Sequence, residues 1–376
     1  MLKQSARINF FIFNLRDESF KQERIECFSD GESNEKCDSK KLEPNGNIVC
    51  GCVSDSEDLI ALCDEKKDLI VFNRKTDWFK KFNVKRMLTK IMFIDQERKI
   101  IGCDRGGDIF QFDLMDDSQS GKLLLGHCSM LLDFLITKDN RYIISCDRDE
   151  KIRVTNYPNT YNIHTYCLGH EEFVSSILLI DSEKTLISGS GDGKIILWNY
   201  IDGKQITSIQ LDFQLLSQEE FPKPKERSKF PIKFMTIDKT ETYLAVSFYN
   251  QPFICLFRIV KDSETISLKF LEKYESNLDS EPVHLQFDLA HHNFLWVVGA
   301  RSQLKWVDLF EIVQERIKPA MCESKLIDKF NQTVNLGSII ANDRKMNSVD
   351  GLFKHYYDNV EEYYQRKLKR IEDSAK

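Results

Sequence analysis

The sequence has few of the features that mark fibrous, membrane-spanning or secreted proteins. Its 376 residues include only 16 glycines and 8 prolines, which excludes collagen-like and low-complexity classes. No stretch approaches the roughly 18 consecutive apolar residues that a membrane helix needs. The first twenty residues contain a short apolar run without a small-residue cleavage site, so we expect no secretory signal. The chain is nevertheless 41% hydrophobic, which is enough for a large core.

Charge and cysteine usage narrow the function classes further. The formal net charge is −6, which argues against a surface devoted wholly to nucleic acid, although a local basic face is compatible with it. Eleven cysteines are present without a C-x-x-C spacing, the tightest pair being Cys50 and Cys52. We therefore expect reduced thiols rather than a disulfide framework. A structural zinc site is not predicted, because about four closely spaced ligands do not assemble.

The chain repeats itself with a period near 43 residues. The segment 145–157 (SCDRDEKIRVTNY) aligns with 188–200 (SGSGDGKIILWNY) at an offset of 43, and LGH at 125–127 recurs at 168–170 with the same offset. Cys-Asp-Arg at 103–105 also precedes its next copy by 43 residues. Internal repeats of this length, with a Gly-His pair and a late Trp, are typical of propeller blades.

Each repeat contains short β-branched and aromatic runs separated by turns, which predicts a four-stranded blade with strands a, b, c and d. Six copies are visible, and a seventh blade is predicted from Ile8–Phe13 together with a strand near Lys325–Ile327. The predicted b and c strands are Leu59–Leu62 with Leu69–Phe72, Ile100–Cys103 with Ile109–Phe112, Tyr142–Cys146 with Ile152–Val154, Leu186–Ser188 with Ile195–Trp198, Tyr243–Ser247 with Phe253–Phe257, and Phe294–Val298 with Leu304–Val307. We therefore predict an all-β, seven-bladed WD-repeat β-propeller whose ring is closed by both ends of the chain.

Three segments depart from the repeat. Residues 29–47 are polar and turn-rich, which predicts a flexible surface loop, and residues 210–229 predict an inserted loop. In residues 351–376, apolar side chains recur at spacings of one, three and four, which predicts an amphipathic C-terminal helix and tail. The predicted domains are therefore one propeller over 1–350 and the helix with its tail.

His170, Ser188, Asp192 and Trp198 occupy the positions where WD-repeat blades hold a hydrogen-bonded tetrad. Such a tetrad satisfies buried polar groups without chemistry. The alternative is a catalytic Ser-His-Asp triad, but the repeat accounts for each residue without it. His127 is predicted to serve the preceding blade in the same way, without a Trp.

Residues 147–151 (Asp-Arg-Asp-Glu-Lys, the charged turn) form an unusual b–c turn. They can be a solvated turn, a divalent-ion site weakened by the interleaved Arg148 and Lys151, or a patch for a partner protein. In a four-stranded meander the b–c turns and d–a loops share one face, so we expect Arg86, Arg105, Arg148 and Arg153 to cluster there. Arginine can form bidentate bonds to carboxylates or phosphates, which favours the partner patch.

Residues 126–177 closely resemble the WD-repeat, non-catalytic subunit of eukaryotic tRNA (guanine-N7)-methyltransferase, the family that includes Wuho. The resemblance is carried by GHCSMLLD, DRDEKIRV and the CLGHEEFVS stretch, and LFKHYYDNVEEYYQRKLKR at 352–370 is similar to that family's C-terminal helix. It is strong at 122–200 and weak at 1–50 and 210–345. This sequence departs from the WD pattern at Asn199, where Trp198 is usually followed by Asp.

The resemblance implies a subunit that performs no chemistry and binds no cofactor. Its partner would be a catalytic methyltransferase subunit that uses S-adenosylmethionine, and the heterodimer would methylate N7 of guanosine 46 in tRNA. Carried over from the family, Arg153, Lys151 and Glu150 are the best candidates for the partner interface, followed by Arg148, Arg105 and Arg86. The resemblance also implies a nuclear location, and tRNA contact mainly through the complex.

Two other function classes stay open from the sequence alone. A generic WD-repeat scaffold, such as a ubiquitin-ligase or chromatin adaptor, would share the fold but gives no reason for DRDEKIRV. An enzyme with its site in the central channel would need convergent carboxylates or a metal, and the repeats show structural residues instead. Residues 189–194 resemble a phosphate loop only superficially, because the spacing and the strand–turn–helix context are missing.

Overall fold

The computed structural model describes residues 48–320, except 77, 117, 119, 181–183, 212–229, 263–264, 276–280, 289–292 and 300–306. It also describes residues 349, 352 and 353, and the backbone of two N-terminal strands. The predicted loop at 29–47, nearly all of the predicted insertion at 210–229 and most of the predicted C-terminal helix lie outside the described residues. No helix within the described residues is long and apolar enough to cross a bilayer.

Within these residues, six antiparallel sheets have four strands each, and we number them sheets 1 to 6. Their strands a to d follow chain order. Sheet 1 comprises β3 (Ile48–Val53), β4 (Leu59–Asp64), β5 (Asp68–Asn73) and β6 (Phe79–Asn83); sheet 2 comprises β7 (Leu88–Ile94), β8 (Lys99–Asp104), β9 (Asp108–Asp113) and β10 (Lys122–Gly126); sheet 3 comprises β11 (Leu131–Ile136), β12 (Tyr142–Asp147), β13 (Ile152–Asn156) and β14 (Ile163–Cys167). Sheet 4 comprises β15 (Val174–Ile180), β16 (Thr185–Ser190), β17 (Lys194–Asn199) and β18 (Lys204–Gln210); sheet 5 comprises β19 (Ile232–Ile237), β20 (Tyr243–Phe248), β21 (Phe253–Lys261) and β22 (Ile266–Glu275); sheet 6 comprises β23 (Pro282–Phe287), β24 (Phe294–Gly299), β25 (Val307–Val313) and β26 (Arg316–Pro319).

The six sheets coincide with the six copies found by their repeats. Of the last predicted c strand, Leu304–Val307, only Val307 lies within the described residues. Val307 begins β25 and pairs with Val298 of β24. The buried side chains of β25 are Leu309, Phe310 and Ile312.

The sheets stand side by side around an axis, as the blades of a propeller do. Their a strands contact one another in sequence, from β3 through β7, β11, β15 and β19 to β23. An apolar core fills the space between each consecutive pair of sheets. Every a strand also has a β-bulge near its start, which increases the local twist that a blade requires.

A further sheet of two strands precedes the six. β1 (Ile8–Asn14) pairs antiparallel with β2 (Ser19–Ile25). The bounds of β1 agree with the predicted N-terminal strand at Ile8–Phe13, its place in the ring stays a prediction, and β2 was not predicted. The other predicted member, near residues 325–327, lies outside the described residues, so the seventh blade stays a prediction.

The b–c turns and the d–a loops meet on one side of the ring, which we call the b–c face. The backbone N–H of Arg148 in a b–c turn donates to the carbonyl of Met130 in the neighbouring d–a loop (2.9 Å). Gly191 donates in the same way to Phe173 (2.8 Å). The C-terminal segment returns to this face, where the Phe353 ring packs edge-on against Phe173 with the two centroids 5.2 Å apart.

Candidate functional site

The predicted tetrad is assembled in sheet 4. The ring of His170, in the d–a loop, lies with Nδ1 3.0 Å from Asp192 Oδ2 and Nε2 2.7 Å from Ser188 Oγ. The indole N–H of Trp198 donates to the same Ser188 oxygen (2.7 Å). Since the Asp192 carboxylate can only accept, His170 Nδ1 donates to it, and Nε2 lies at hydrogen-bond distance from the Ser188 hydroxyl. Both ring nitrogens of His170 therefore have hydrogen-bond partners.

This arrangement is structural rather than catalytic. Burial alone would raise the pKa of Asp192, but the bond from His170 and the backbone N–H groups of Glu171 and Lys194 hold that pKa below its ordinary value. Ser188 and Asp192 are fully buried, and the Ser188 hydroxyl is already engaged by two neighbours. A substrate has no access to this hydroxyl, so the triad alternative is not supported.

Sheet 3 has the same device with one member replaced. His127 Nδ1 lies 3.0 Å from Asp147 Oδ2, and Nε2 lies 2.8 Å from Ser145 Oγ. Thr155 stands where the repeat places Trp198, and its hydroxyl is buried without a hydrogen-bond partner among the described residues. The charged turn is consequently anchored by Asp147, which also accepts from the backbone N–H groups of Asp149 (2.9 Å) and Lys151 (3.1 Å).

His127 makes stability depend on pH near neutrality. Burial, followed by the positive charge of Arg153, lowers the pKa of His127 below 6.5, although its bond to Asp147 opposes the shift. In the unfolded chain His127 binds a proton near pH 6.5, whereas in the folded chain it binds one only at lower pH. Acidification through this range therefore favours unfolding. We expect the midpoint temperature of thermal unfolding to fall as pH is lowered from 7 to 5.5.

Burial also lowers the pKa of His284, so the pH dependence of the wild type alone does not isolate the contribution of His127. A variant without the His127 ring is needed for comparison. The variant His127→Asn lacks the titrating ring and should show a smaller fall in midpoint over the same pH range. Thermal melts followed by circular dichroism at matched ionic strength measure both proteins. Equal slopes for the two proteins would contradict the role assigned to His127.

In sheet 2 an arginine stands near the position of the tetrad histidine. Asp104 occupies the tetrad acid position, and Nη1 of Arg86 lies 4.0 Å from its Oδ2 and 3.5 Å from Asp108 Oδ2. Gly106 lies beneath this side chain, and an added Cβ would lie 1.8 Å from Arg86 Nη1, so a larger residue here would displace the guanidinium. Arg86 is thus bound to its own blade while more than half of its side chain is exposed.

The charged turn presents a fixed backbone with an exposed Lys151 and half-buried Arg148, Asp149 and Glu150. Glu150 has a left-handed backbone (φ 69°), the conformation that Gly107 and Gly193 adopt in the equivalent turns. Lys151 is exposed, and its Nζ donates to the Asp149 carbonyl (3.3 Å). Arg148 Nε lies 3.9 Å from an Asp149 carboxylate oxygen. Within the described part of the chain, no cluster of His, Cys, Asp or Glu is arranged to hold a metal ion, so the ion-site reading has no support.

Arg153 differs from the other candidates because it is buried. It is 8% exposed, its Nη1 donates to the Gly126 carbonyl at the end of β10 (3.0 Å), and burial lowers its pKa. The guanidinium links β13 of sheet 3 to the end of β10 in sheet 2, so Arg153→Glu would weaken the propeller as well as any partner contact at this position.

The candidates therefore fall into three places rather than one cluster. Arg148, Glu150 and Lys151 share the charged turn, and Arg86 and Arg105 lie at the next b–c turn along the ring. Arg153 lies in the cleft between the outer strands of sheets 2 and 3. The structure brings the first two groups to the b–c face, as predicted from the meander.

Sequence reasoning missed a charged pair on the inner strands. Asp133 on β11 forms a salt bridge with Lys90 on β7, and its Oδ2 accepts from the backbone N–H of Ile177 on β15 (2.9 Å). One carboxylate thus connects three consecutive sheets. The signal was available, because an acid inside the apolar run LLDFLI must find partners when it is buried.

The central repeats of this chain are similar to a known protein family. Residues 117–295 match the family model of the tRNA methyltransferase TRM82 WD40 domain. The zebrafish (Danio rerio) tRNA (guanine-N(7)-)-methyltransferase non-catalytic subunit wdr4 is 30% identical over 140 residues, 37% of this chain and 32% of that protein. The human WDR4 subunit is 36% identical over 97 residues, 25% of this chain and 23% of that protein. The wuho subunit of Culex quinquefasciatus is 33% identical over 94 residues, 24% and 23% of the two chains.

The chain therefore matches about a third or less of the length of these relatives. Solved structures agree on the fold. A chain of the mitotic checkpoint complex aligns with a TM-score of 0.60 at 9% identity, covering 78% of this chain and 79% of that one. The C-terminal WD40 domain of Sif2 aligns with a TM-score of 0.55 at 17% identity, covering 71% and 70%. The described structure is a WD-repeat β-propeller, and residues 117–295, which include both histidine networks and the charged turn, are similar to the TRM82 WD40 domain.

Proposed function

We propose that this chain is the non-catalytic subunit of a heterodimeric tRNA (guanine(46)-N7)-methyltransferase. The observation that carries the proposal is the charged turn, which presents Lys151 on the b–c face and is anchored through Asp147, inside the segment that matches the TRM82 domain. The relatives that match this chain are named as non-catalytic subunits of tRNA (guanine-N(7)-)-methyltransferase.

The proposed mechanism is stabilisation of one conformer of the partner. The hydrogen bonds of Asp147 fix the charged turn before binding, so its ordering does not oppose association. A rigid surface that binds the active conformer of a mobile enzyme better than its inactive ones raises the population of the active conformer. Exposed Lys151 and half-exposed Arg148 would orient the partner by forming ion pairs with carboxylates on the partner's surface.

The catalytic subunit would bind S-adenosylmethionine and perform the methyl transfer. It would also supply most of the phosphate contacts to tRNA, because this chain has a net charge of −6. We also propose a nuclear location, which imaging of the fluorescently tagged protein in cells would test.

The direct experiment measures N7-methylguanosine on a tRNA transcript, using the cognate catalytic subunit with and without this chain. We expect strong stimulation and co-elution of the two proteins in size-exclusion chromatography. If the experiment showed neither stimulation nor a complex, the remaining interpretation would be a WD-repeat scaffold with another partner. A chain that methylates tRNA alone would contradict the non-catalytic assignment.

Charge reversal at Lys151 tests the docking face. Lys151→Glu places a third acid among Asp149 and Glu150 without disturbing a buried contact, so affinity for the catalytic subunit should fall at least about tenfold, or about 1.4 kcal/mol. Lys269→Glu is the matched control, because Lys269 is exposed on β22, the outer strand of sheet 5, away from the charged turn. Equal affinities of the two variants, measured by isothermal titration calorimetry, would place the interface elsewhere.

A further inference from the structure

The outer strand of sheet 3 carries an unusual amount of exposed apolar surface. Within β14, Ile163 is 46% exposed and Tyr166 is 38% exposed. Just outside it, Tyr161 and Leu168 are 80% and 64% exposed. The outer strands β6, β10 and β18 each hold one large apolar side chain of comparable exposure within the strand. Exposed apolar side chains thus follow β14 and its flanks across the rim.

The exposed side chains of β14 border the cleft between the outer strands of sheets 2 and 3. Tyr166 pairs with Arg153 on β13, and Ile163 pairs with Thr155, so each pair points to the same side of sheet 3. Arg153 bonds to the end of β10, which places this side towards sheet 2. The hydroxyl of Thr160 also donates to the Leu124 carbonyl of β10 and closes one end of the cleft.

Two polar atoms lie beneath the apolar border. Arg153 Nε and Thr155 Oγ1 are buried, and neither has a hydrogen-bond partner in the described part of the chain. A buried polar atom without a partner is costly, at about 1–3 kcal/mol. The cleft therefore offers apolar contact at its border and at least one buried N–H at its base to an incoming acceptor.

The backbone of β14 is less available than its side chains. Gly203 of sheet 4 lies so close to the Tyr166 carbonyl that an added Cβ would be 2.2 Å from that oxygen. Gly203 has a left-handed backbone (φ 71°) and contacts β14 on the side that faces sheet 4, away from the cleft. A ligand that pairs with β14 as a fifth strand would meet this turn, so binding through the side chains is favoured.

We propose that β14 and its flanks form the apolar half of the docking surface for the catalytic methyltransferase subunit. The inference rests on the proposed function and adds a location to it. Specific interfaces combine an apolar centre rich in Tyr with a charged rim. Sheet 3 supplies both, since Arg153 on the neighbouring strand connects the apolar side chains of β14 to the charged turn that precedes it. The occupant is an apolar segment of the partner, flanked by acidic residues that face Lys151 and Arg148.

The test uses the full chain and the purified catalytic subunit. Ile163→Ser with Tyr166→Ser should weaken binding at least about thirtyfold, because central aromatic and aliphatic contacts carry most of the energy of an interface. Leu168→Ser, which does not pair with Arg153, should weaken binding by a smaller factor. Ile206→Ser on β18 is the matched control, since Ile206 is 40% exposed on the outer strand of the next sheet. It should bind as the wild type does.

Three measurements on each variant separate the outcomes. Isothermal titration calorimetry gives the affinity, thermal melting of the isolated chain gives its stability, and methylation of tRNA gives the activity of the complex. Affinity unchanged in both β14 variants overturns the inference and leaves the proposed function intact. A large fall in the melting temperature of the isolated chain also overturns it, because those side chains would then be covered by the chain itself. No binding by the wild type would overturn both.

Discussion

Replacing Trp198 with alanine should remove about 3–5 kcal/mol from the free energy of unfolding, a large part of the 5–15 kcal/mol typical of a folded domain. Trp198 is 1% exposed and belongs to the core between sheets 3 and 4. Its loss leaves a large cavity there and removes the indole N–H from the Ser188 hydroxyl. Urea unfolding followed by fluorescence or circular dichroism measures the change.

A second variant separates packing from hydrogen bonding in this core. Trp198→Phe keeps most of the ring volume but loses the donor, so it should cost about 1–2 kcal/mol. If alanine and phenylalanine destabilised the protein equally, the hydrogen bond rather than the packing would dominate. A loss below about 1 kcal/mol for alanine would contradict the central place given to this residue.

Asp133→Ala should destabilise the protein by about 2–4 kcal/mol, although the sequence assigns no functional role to this acid. The substitution leaves the buried N–H of Ile177 without its acceptor and removes the counter-ion of Lys90. The side chain of Lys90 is 40% exposed, so water compensates for part of the lost ion pair. Because the carboxylate connects sheets 2, 3 and 4, the sharpness of the unfolding transition should fall as well.

Asp58→Ala is the matched control for Asp133→Ala. Asp58 pairs with Lys75 at the surface, where 71% of the Lys75 side chain is exposed, and such pairs contribute about 0–1 kcal/mol. Denaturant unfolding of both variants under the same salt gives the comparison. Equal losses for the two would show that Asp133 behaves as a surface acid and that the connection between sheets contributes little.

The repeats predicted the architecture well because they encode local rules. Two apolar runs with an acidic or glycine turn between them specify a b–c hairpin, and six such pairs appear as strands close to the predicted bounds. The histidine positions could also be predicted, since a Gly-His pair and a later Ser and Asp recur at the same offset. The bonds of His127 and His170 have the same geometry in two sheets.

What could not be predicted depends on contacts between repeats. Asp133 selects partners on two other sheets, and no spacing within one repeat carries that information. Arg153 is read from the sequence as an exposed cation beside Lys151, yet strand alternation turns it inwards to Gly126. The exposure of Tyr166 depends on how widely the outer strands of neighbouring sheets diverge, which is a property of the assembled ring.

The contact of Phe353 with Phe173 places part of the C-terminal segment on the b–c face. The nearby Val349 is 7% exposed, and its carbonyl accepts from the backbone N–H of Leu352 (2.9 Å). The carbonyl of Phe173 itself accepts from Gly191 in the b–c turn of sheet 4. A protein that approaches the b–c face at sheet 4 therefore meets residues from two distant parts of the sequence, the central repeats and the C-terminal segment.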